Sequence, residues 1–563
     1  MTSTFLGLNT AVNGLMAAQN AMDTAGHNID NANTPGYSRQ RVDLVASPSL
    51  QQWGLSSNGP GQLGTGVQVQ DITRLRSQFF DSQYRNQNQS LGQAQVQQDT
   101  LNQVTSIINE PSSTGISNAL QNFWNAWDTL QSNPSDVSAR TEVQQSGVSL
   151  TQTLNQTANQ LSSLNGDVQN SLSSRLQQAN SYISQIAQLT DQIQKIQPNG
   201  NNPNDLMDKR DQLVDQLSQL SSVAVTQSGS SYQVSVGGAV VVSNGQAGTL
   251  NASATTPQQI QATYFNTTTQ AFDSTQPNTS ITQPGGALQG TLDSLGYVQS
   301  YQADLNNIAQ TLAGSATSGQ GKMNATLVGT WSVAGPTGGG APTFPVSGTF
   351  ADGTAFTQGS LVSSYASQNI TTSTNPDGTV VANIPAGATV TVYGINGLQQ
   401  IGFSQTGAGK PLFTTNPPGQ PLDATNISIG LTPPDIAAGT AVQPGTTVAM
   451  PGDGTLAGAV SAVKDATTTF PSPANPAQTM TGTIDNYLQG VVGQLGIQGQ
   501  TANNDVTNGQ ALVQQMQSQR QSVSGVSLDQ EMSNVVQFQQ AYNASAKIIS
   551  TINQMLQTLL ANV

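Results

Sequence analysis

The sequence predicts an α+β multidomain protein. Long terminal helices pair the N- and C-termini as a coiled coil, a helical-bundle domain follows, and β-rich inserted domains face outward. Three observations carry this expectation. Apolar residues recur at every seventh position at both ends of the chain, long Gln-rich segments between them carry apolar stripes at helical spacing, and 321–476 is rich in Gly, Pro, Thr and Ser without helical periodicity. At 563 residues the chain is also too long for one hydrophobic core.

From Met1 to Asn33, Leu8, Leu15, Met22 and Ile29 form one column and Phe5, Val12, Gln19 and Gly26 a second, both with a period of seven. That period marks a coiled-coil seam rather than the broader face of a globular helix. The helix is expected to stop at Thr34-Pro35-Gly36, because Pro35 drives Thr34 out of the α region and Gly36 permits the turn. Residues 37–78 alternate weakly (Val42, Leu44, Val67, Val69) about a loop at 56–66 and predict a β-hairpin or extended connector.

A long-helix domain is expected over 79–221 with 285–320 and 480–525. Its helical segments are Phe79 to Asn109, ended by Pro111, then Ile116 to Leu130, Asp136 to Gln197, Asn204 to Leu220 after a turn at 199–203, Gly285 to Leu312, and Ile484 to Ser518. The aromatics Phe123, Trp124 and Trp127 could form a platform for a sugar or a partner, but spacings of three and four on an amphipathic helix favour the core. Residues 222–284 read as a small β segment of short strands punctuated by Gly, and 321–476 as one or more β-rich outer domains with strands such as ATVTVYGI and NISIGL.

At the C-terminus Gly525 breaks the preceding helix, and Ser527 with Gln530 three residues on is a capping box for a new one. Leu528, Val535, Tyr542, Ile549 and Leu556 then recur every seventh residue, flanked by Met532, Phe538, Ala546, Ile552 and Leu559. A helix of roughly 30 residues reaches about 45 Å and needs a partner along its length. The N-terminal heptads supply it, so 1–36 with 526–563 forms a terminal coiled-coil domain and the middle of the chain is an insertion. Seams of this length leave apolar surface beyond what two helices cover. The expected assembly interface is therefore Phe5, Leu8, Val12, Leu15, Met22, Ile29, Leu528, Val535, Phe538, Tyr542, Ile549, Ile552 and Leu556.

Ala25 to Val42 (AGHNIDNANTPGYSRQRV) together with Gln519 to Leu559 (QRQSVSGVSLDQEMSNVVQFQQAYNASAKIISTINQMLQTL) resembles the flagellar axial proteins, the family of rod, hook and hook-filament junction proteins. The NANTPGY motif, with Asn31, Asn33, Thr34, Pro35, Gly36 and Tyr37, is shared across that family. The C-terminal stretch narrows the resemblance to hooks and junction proteins. The GYSRQRV continuation, and Arg210, Asp211, Gln212 and Leu213 after an Asp-Leu pair, select the junction members. Asp30 stands where the family more often has a small residue. The resemblance implies a structural protein that forms a ring between hook and filament through its terminal helices, with the hook protein and a second junction protein as partners. It also implies export through the flagellar type III channel without a cleaved signal, and a cytoplasmic chaperone that holds the C-terminal helix beforehand. A hook or the second junction protein is the alternative within the family. From another class, the β region could make the chain a surface adhesin.

Composition restricts other chemistries. Only 8% of residues are charged, and 15 basic residues face 29 acidic ones, which argues against nucleic acid and against anionic membranes as partners. The sparse charge fits an acidic medium and fits plain compositional bias equally. With no cysteine and one histidine, His27, neither thiolate chemistry nor a His-based metal or catalytic site is expected, and no cofactor is implied. Asp352, Asp377 and Asp453 each precede Gly, a turn signal before it is a pair of catalytic carboxylates. No Lys or Arg precedes Arg39 and no apolar run reaches 18 residues, so neither a signal peptide nor a transmembrane span is expected.

Overall fold

The computed structural model describes residues 4–51, 62–197, 202–229, 231–253, 259–314, 321–336 and 339–561. The chain forms two compact units. The first comprises Met1–Gln98, Asn170–Asp293 and Ala502–Val563, the second Asp99–Gln169 and Ser294–Thr501. The helices are α1 (Thr4–Asp30), α2 (Gln78–Ile108), α3 (Ile116–Ser132), α4 (Val137–Ile196), α5 (Asn204–Leu220), α6 (Gly286–Ala313), α7 (Gly394–Ile401), α8 (Thr455–Ser461), α9 (Ile484–Ser524) and α10 (Leu528–Ala561).

In the first unit, strands β1 (Gln40–Ala46) and β4 (Val67–Arg74) form the expected antiparallel hairpin, with a bulge between Asp43 and Leu44; β2 (Leu50–Gln51) and β3 (Gln62–Leu63) extend it. The tip at 52–61 lies outside the described residues, as do 199–201 of the turn before α5. After α5 come β5 (Val223–Ser228), β6 (Ser231–Val236), β7 (Ala239–Ser243) and β8 (Gln246–Ala247), an antiparallel meander in that order. The turn from β7 to β8 is Asn244-Gly245 with φ of +47° and +84°, the mirror-image backbone that suits the twist of a two-residue hairpin. Alternation in β6 sends Tyr232, Val234 and Val236 inward, into one core with Ile183 and Ile186 of α4, Val214 and Leu217 of α5 and Leu288 of α6.

The second unit buries Phe123, Trp124 and Trp127 of α3 completely, as core rather than platform, with Phe123 against Phe413 at 5.9 Å between ring centres. A four-stranded sheet orders Lys322–Thr326, Thr389–Tyr393, Ser347–Thr349 and Ala355–Phe356, and a three-stranded one orders Trp331–Ala334, Val380–Ile384 and Thr371–Thr374. Phe344 and Phe356 stack at 4.2 Å, beside Trp331 and Phe350. Asp352 and Asp377 accept from the backbone N–H two residues on, at 2.9 Å each, as turn residues do.

Several boundaries differ from expectation. The N-terminal helix stops at Asp30, not at Thr34-Pro35-Gly36, because Asn31, Thr34 and Tyr37 close successive turns: Thr34 N–H donates to Asn31 O at 3.0 Å and Tyr37 N–H to Thr34 O at 3.2 Å. Helix α9 runs to Ser524 instead of 518. The region expected to be β throughout contains α7 and α8. The strand ATVTVYGI ends at Tyr393, where Gly394 turns at φ +57° and rests so closely on the Gly314 backbone that a side chain there would collide.

Candidate assembly interface

Helices α1 and α10 pack together, and small residues decide how. A methyl group added at Gly7 would sit 3.6 Å from Ile552 Cδ1, and one at Gly14 would sit 3.2 Å from Ser545 Oγ; Asn28 Nδ2 donates to Glu531 at 3.3 Å. Each step of seven along α1 is matched by a step of seven backwards along α10, so the pair is antiparallel and in constant heptad register. The fully buried side chains of α1 are Ala11, Ala17, Ala18, Ala21, Thr24, Ala25 and Asn28. Helix α1 also packs on β1 and β4, where Gly66, at φ +99°, lies against Thr10.

The expected columns flank these contacts. Leu8, Val12, Leu15, Met22 and Ile29 are half-buried edges, because the helices approach at Gly7 and Gly14 and the larger side chains fall to either side. The Phe5 and Leu559 side chains lie outside the described residues. On α10, Val535, Phe538, Tyr542, Ile549, Ile552 and Leu556 are half-buried, and Leu528 is 48% exposed. Met532, expected to flank the seam, is 60% exposed, while Glu531 is 2% exposed in the position that faces α1. Gln530 does not return a capping-box bond to Ser527; it accepts from Arg39 Nη1 at 3.2 Å.

A polar knot ties the end of α1 to the start of α10. Asn28 Nδ2 donates to Gln40 O at 2.8 Å, and its Oδ1 accepts from Gln40 N–H at 2.9 Å and from Tyr37 Oη at 2.7 Å. Arg39 Nε meets Glu531 at 2.6 Å, and Arg39 N–H caps α9 at Ser524 O at 2.9 Å. Burial, and then the charges of Asp205, Asp208 and Glu531, push the Tyr37 phenol well above its ordinary pKa, so it remains a donor. Of the motif residues, Asn31 donates from its side chain to His27 O at 3.1 Å, Gly36 supplies φ +85° against Gln212, and Asn33, Thr34 and Pro35 stay exposed. His27 Nε2 lies 3.4 Å from Asp205 Oδ1, and its ring meets Tyr37 edge-on at 5.6 Å.

Behind the knot, α5 lines up Asp208, Asp211 and Asp215 against arginines from β4, the link after it, α2 and α9. Arg74 pairs with Asp208 at 2.7 Å and Asp211 at 3.0 Å, Arg76 with Asp81 at 2.6 Å, Arg85 with Asp215 at 2.7 Å, and Arg520 with Asp215 at 2.6 Å. Burial raises the Asp211 carboxyl, but Arg76, Arg74, Arg210 and Arg85 outweigh it and hold the pKa below the ordinary value. Sequence reasoning singled out Arg210-Asp211 by resemblance and missed the network. Its signal was present: three aspartates three and four apart on α5, in a chain otherwise poor in charge.

Three family models match the chain: Flagellar hook-associated protein FlgK helical domain over 101–322, Flagellar basal body rod FlgEFG protein C-terminal over 517–562, and Flagella basal body rod protein over 8–37. Flagellar hook-associated protein 1 of Bacillus subtilis is 29% identical over 586 residues, covering 100% of this chain and 98% of the relative. Over its whole length this chain is similar to flagellar hook-associated protein 1. Flagellar hook-associated protein 1 of Salmonella typhimurium is likewise 29% identical, over 98% of this chain and 99% of its own. A solved flagellar hook junction protein FlgK from Burkholderia pseudomallei is similar over 79% of this chain and 100% of that one, at 20% identity and a TM-score of 0.47. Both terminal models fall on the α1 and α10 pair just described. Among the described residues, no helix is long and apolar enough to cross a membrane, and no three His, Cys, Asp or Glu are grouped so as to hold a metal ion.

Proposed function

We propose that this protein is a junction component of the bacterial flagellum, building a ring between hook and filament with the α1 and α10 pair as its axial interface. The observation that carries the reading is the composition of that pair. Gly7, Gly14 and Asn28 face Ile552, Ser545 and Glu531 across it, while large apolar side chains turn outward: Met532 at 60% exposure, Val536 at 55%, Ile548 at 52% and Met555 at 64%. Exposed apolar residues repeated along a helix are costly in a lone chain and useful in an assembly. The half-buried Leu8, Val12, Leu15, Met22, Ile29, Val535, Phe538, Tyr542, Ile549, Ile552 and Leu556, with exposed Leu528, complete the surface. Flagellar hook protein, a second junction protein and further copies of this chain are its partners there. The same stripe is the reason for an export chaperone on α10, with exit through the flagellar type III channel. The work is structural: 1–36 with 526–563 join the axis, 37–78 connect, the long helices of 79–221, 285–320 and 480–525 with the small β segment of 222–284 form the body, and 321–476 faces outward.

The test is Val536→Asp. Being exposed, the position tolerates a carboxylate in the monomer, whereas closing an interface over it would desolvate an unpaired charge. Cells carrying the variant as the sole copy are expected to shed unattached filament protein and lose motility. The purified variant should melt within about 1 °C of the parent, since exposed changes alter stability by about 0.5 kcal/mol or less. Attached filaments in such cells would remove α10 from the axial interface.

A further inference from the structure

In the first unit a cavity of about 570 Å3 lies among β4, α2, α5 and β5–β6, lined by Arg74, Arg76, Arg85, Arg210, Asp211 and Tyr232, among others. We propose that it is a binding site for a small oxyanion of the carboxylate or phosphate class, with Arg210 and Tyr232 as the donors. Ion pairing points there first. Five guanidiniums, Arg74, Arg76, Arg85, Arg210 and Arg520, meet four carboxylates, Asp81, Asp208, Asp211 and Asp215, and every one except Arg210 has a direct ion pair. Arg210 is 3% exposed, and among the described residues it forms none. Asp205, on the same helix, meets His27 and Gln40 instead, and Glu531 pairs with Arg39.

Hydrogen bonding points the same way. The Arg210 guanidinium lies over the Tyr232 ring, 3.5 Å from its centre, which satisfies the cation's face but not its N–H edge. Arg210 Nε and Tyr232 Oη are both buried without a partner. Arg140, the buried guanidinium of the second unit, also lacks a carboxylate, but its terminal nitrogens donate to the carbonyls of Ile436 and Pro134. Burial, reinforced by Asp211, pushes the Tyr232 phenol up to about 12, so it stays protonated and can donate. A planar N–H edge, a phenol donor and a guanidinium with no ion pair of its own suit an oxyanion, which accepts at two or more oxygens.

The experiment is thermal melting of the full chain in sodium phosphate, and separately in sodium acetate, each against sodium chloride at matched ionic strength. A ligand of the native state raises the midpoint with its own concentration dependence. The parent is expected to show a saturable rise in at least one of the two anions, which assigns the class. Arg210→Gln should lose that rise, and Tyr232→Phe, which keeps the ring under Arg210, should need about tenfold more anion, the worth of one hydrogen bond to a charged group. No rise beyond chloride in either anion, or an equal rise in Arg210→Gln, overturns the proposal. Should Arg210→Gln fail to give the parent's far-UV circular dichroism, Tyr232→Phe decides, and an unchanged concentration dependence there overturns it.

Discussion

Asn28 uses its whole amide: two N–H groups donate, to Gln40 O and to Glu531, and one oxygen accepts from Gln40 N–H and Tyr37 Oη. A residue 1% exposed with four bonds on three partners fixes where the chain leaves α1, and the fold has no cheap substitute for it. Asn28→Ala strands a buried N–H, a carbonyl and a phenol at once, so the first unit should lose about 2–4 kcal/mol. Urea unfolding followed by hydrogen exchange at Gln40 and its neighbours measures this. A loss under about 0.5 kcal/mol would mean that water replaces the amide without penalty.

At the scale of elements, the antiparallel pair depends on closeness rather than on large apolar side chains. A side chain at Gly14 meets Ser545 Oγ 3.2 Å from its first carbon, so Gly14→Leu must push the helices apart or turn one of them. Protection of amides in Leu8–Ile29 and Val535–Leu556 should collapse towards that of exposed helices, while the β5–β8 meander keeps its own. If the two terminal stretches exchange as slowly as in the parent, contact at Gly14 does not hold the pair.

Across the whole molecule few groups titrate, which makes single buried carboxyls visible. Asp304, 8% exposed, accepts from Tyr487 Oη at 2.5 Å, and Tyr487 stacks on Phe470 at 4.3 Å. Burial raises the Asp304 pKa from 3.8 to about 6, against the lowering effect of the Tyr487 bond. The native state therefore keeps a proton that the unfolded chain releases. Its stabilising contribution is complete below about pH 4 and disappears as pH rises through 6, by about 3 kcal/mol at most. Asp211, held low by its arginines, works in the opposite sense, being stabilising above its unfolded pKa and lost in acid. Comparing urea midpoints at pH 4 and pH 6.5 for the parent and Asp304→Asn isolates the first effect: the variant should lose most of the decline. Equal slopes in the two proteins would show that Asp304 ionises normally.

The sequence by itself determined the long helices, the terminal pairing, the hairpin after the first helix and the meander. These rest on local periodicity and turn chemistry, which neighbours along the chain carry. The likeness to flagellar hook-associated protein 1 was legible for a related reason, since NANTPGY and the C-terminal heptads are contiguous. Only the tertiary structure decided that Gly7, Gly14 and Asn28 form the contact column, because small residues look like gaps in an apolar pattern until two backbones approach each other. It alone assigned Glu531 rather than Met532 to the seam, since a carboxylate on an apolar face becomes favourable only once Arg39, 492 residues away, reaches it. The arginine–aspartate network and the unpaired guanidinium of Arg210 arise likewise from β4, α2, α5 and α9 converging, and spacing along any one segment cannot encode pairings made across four.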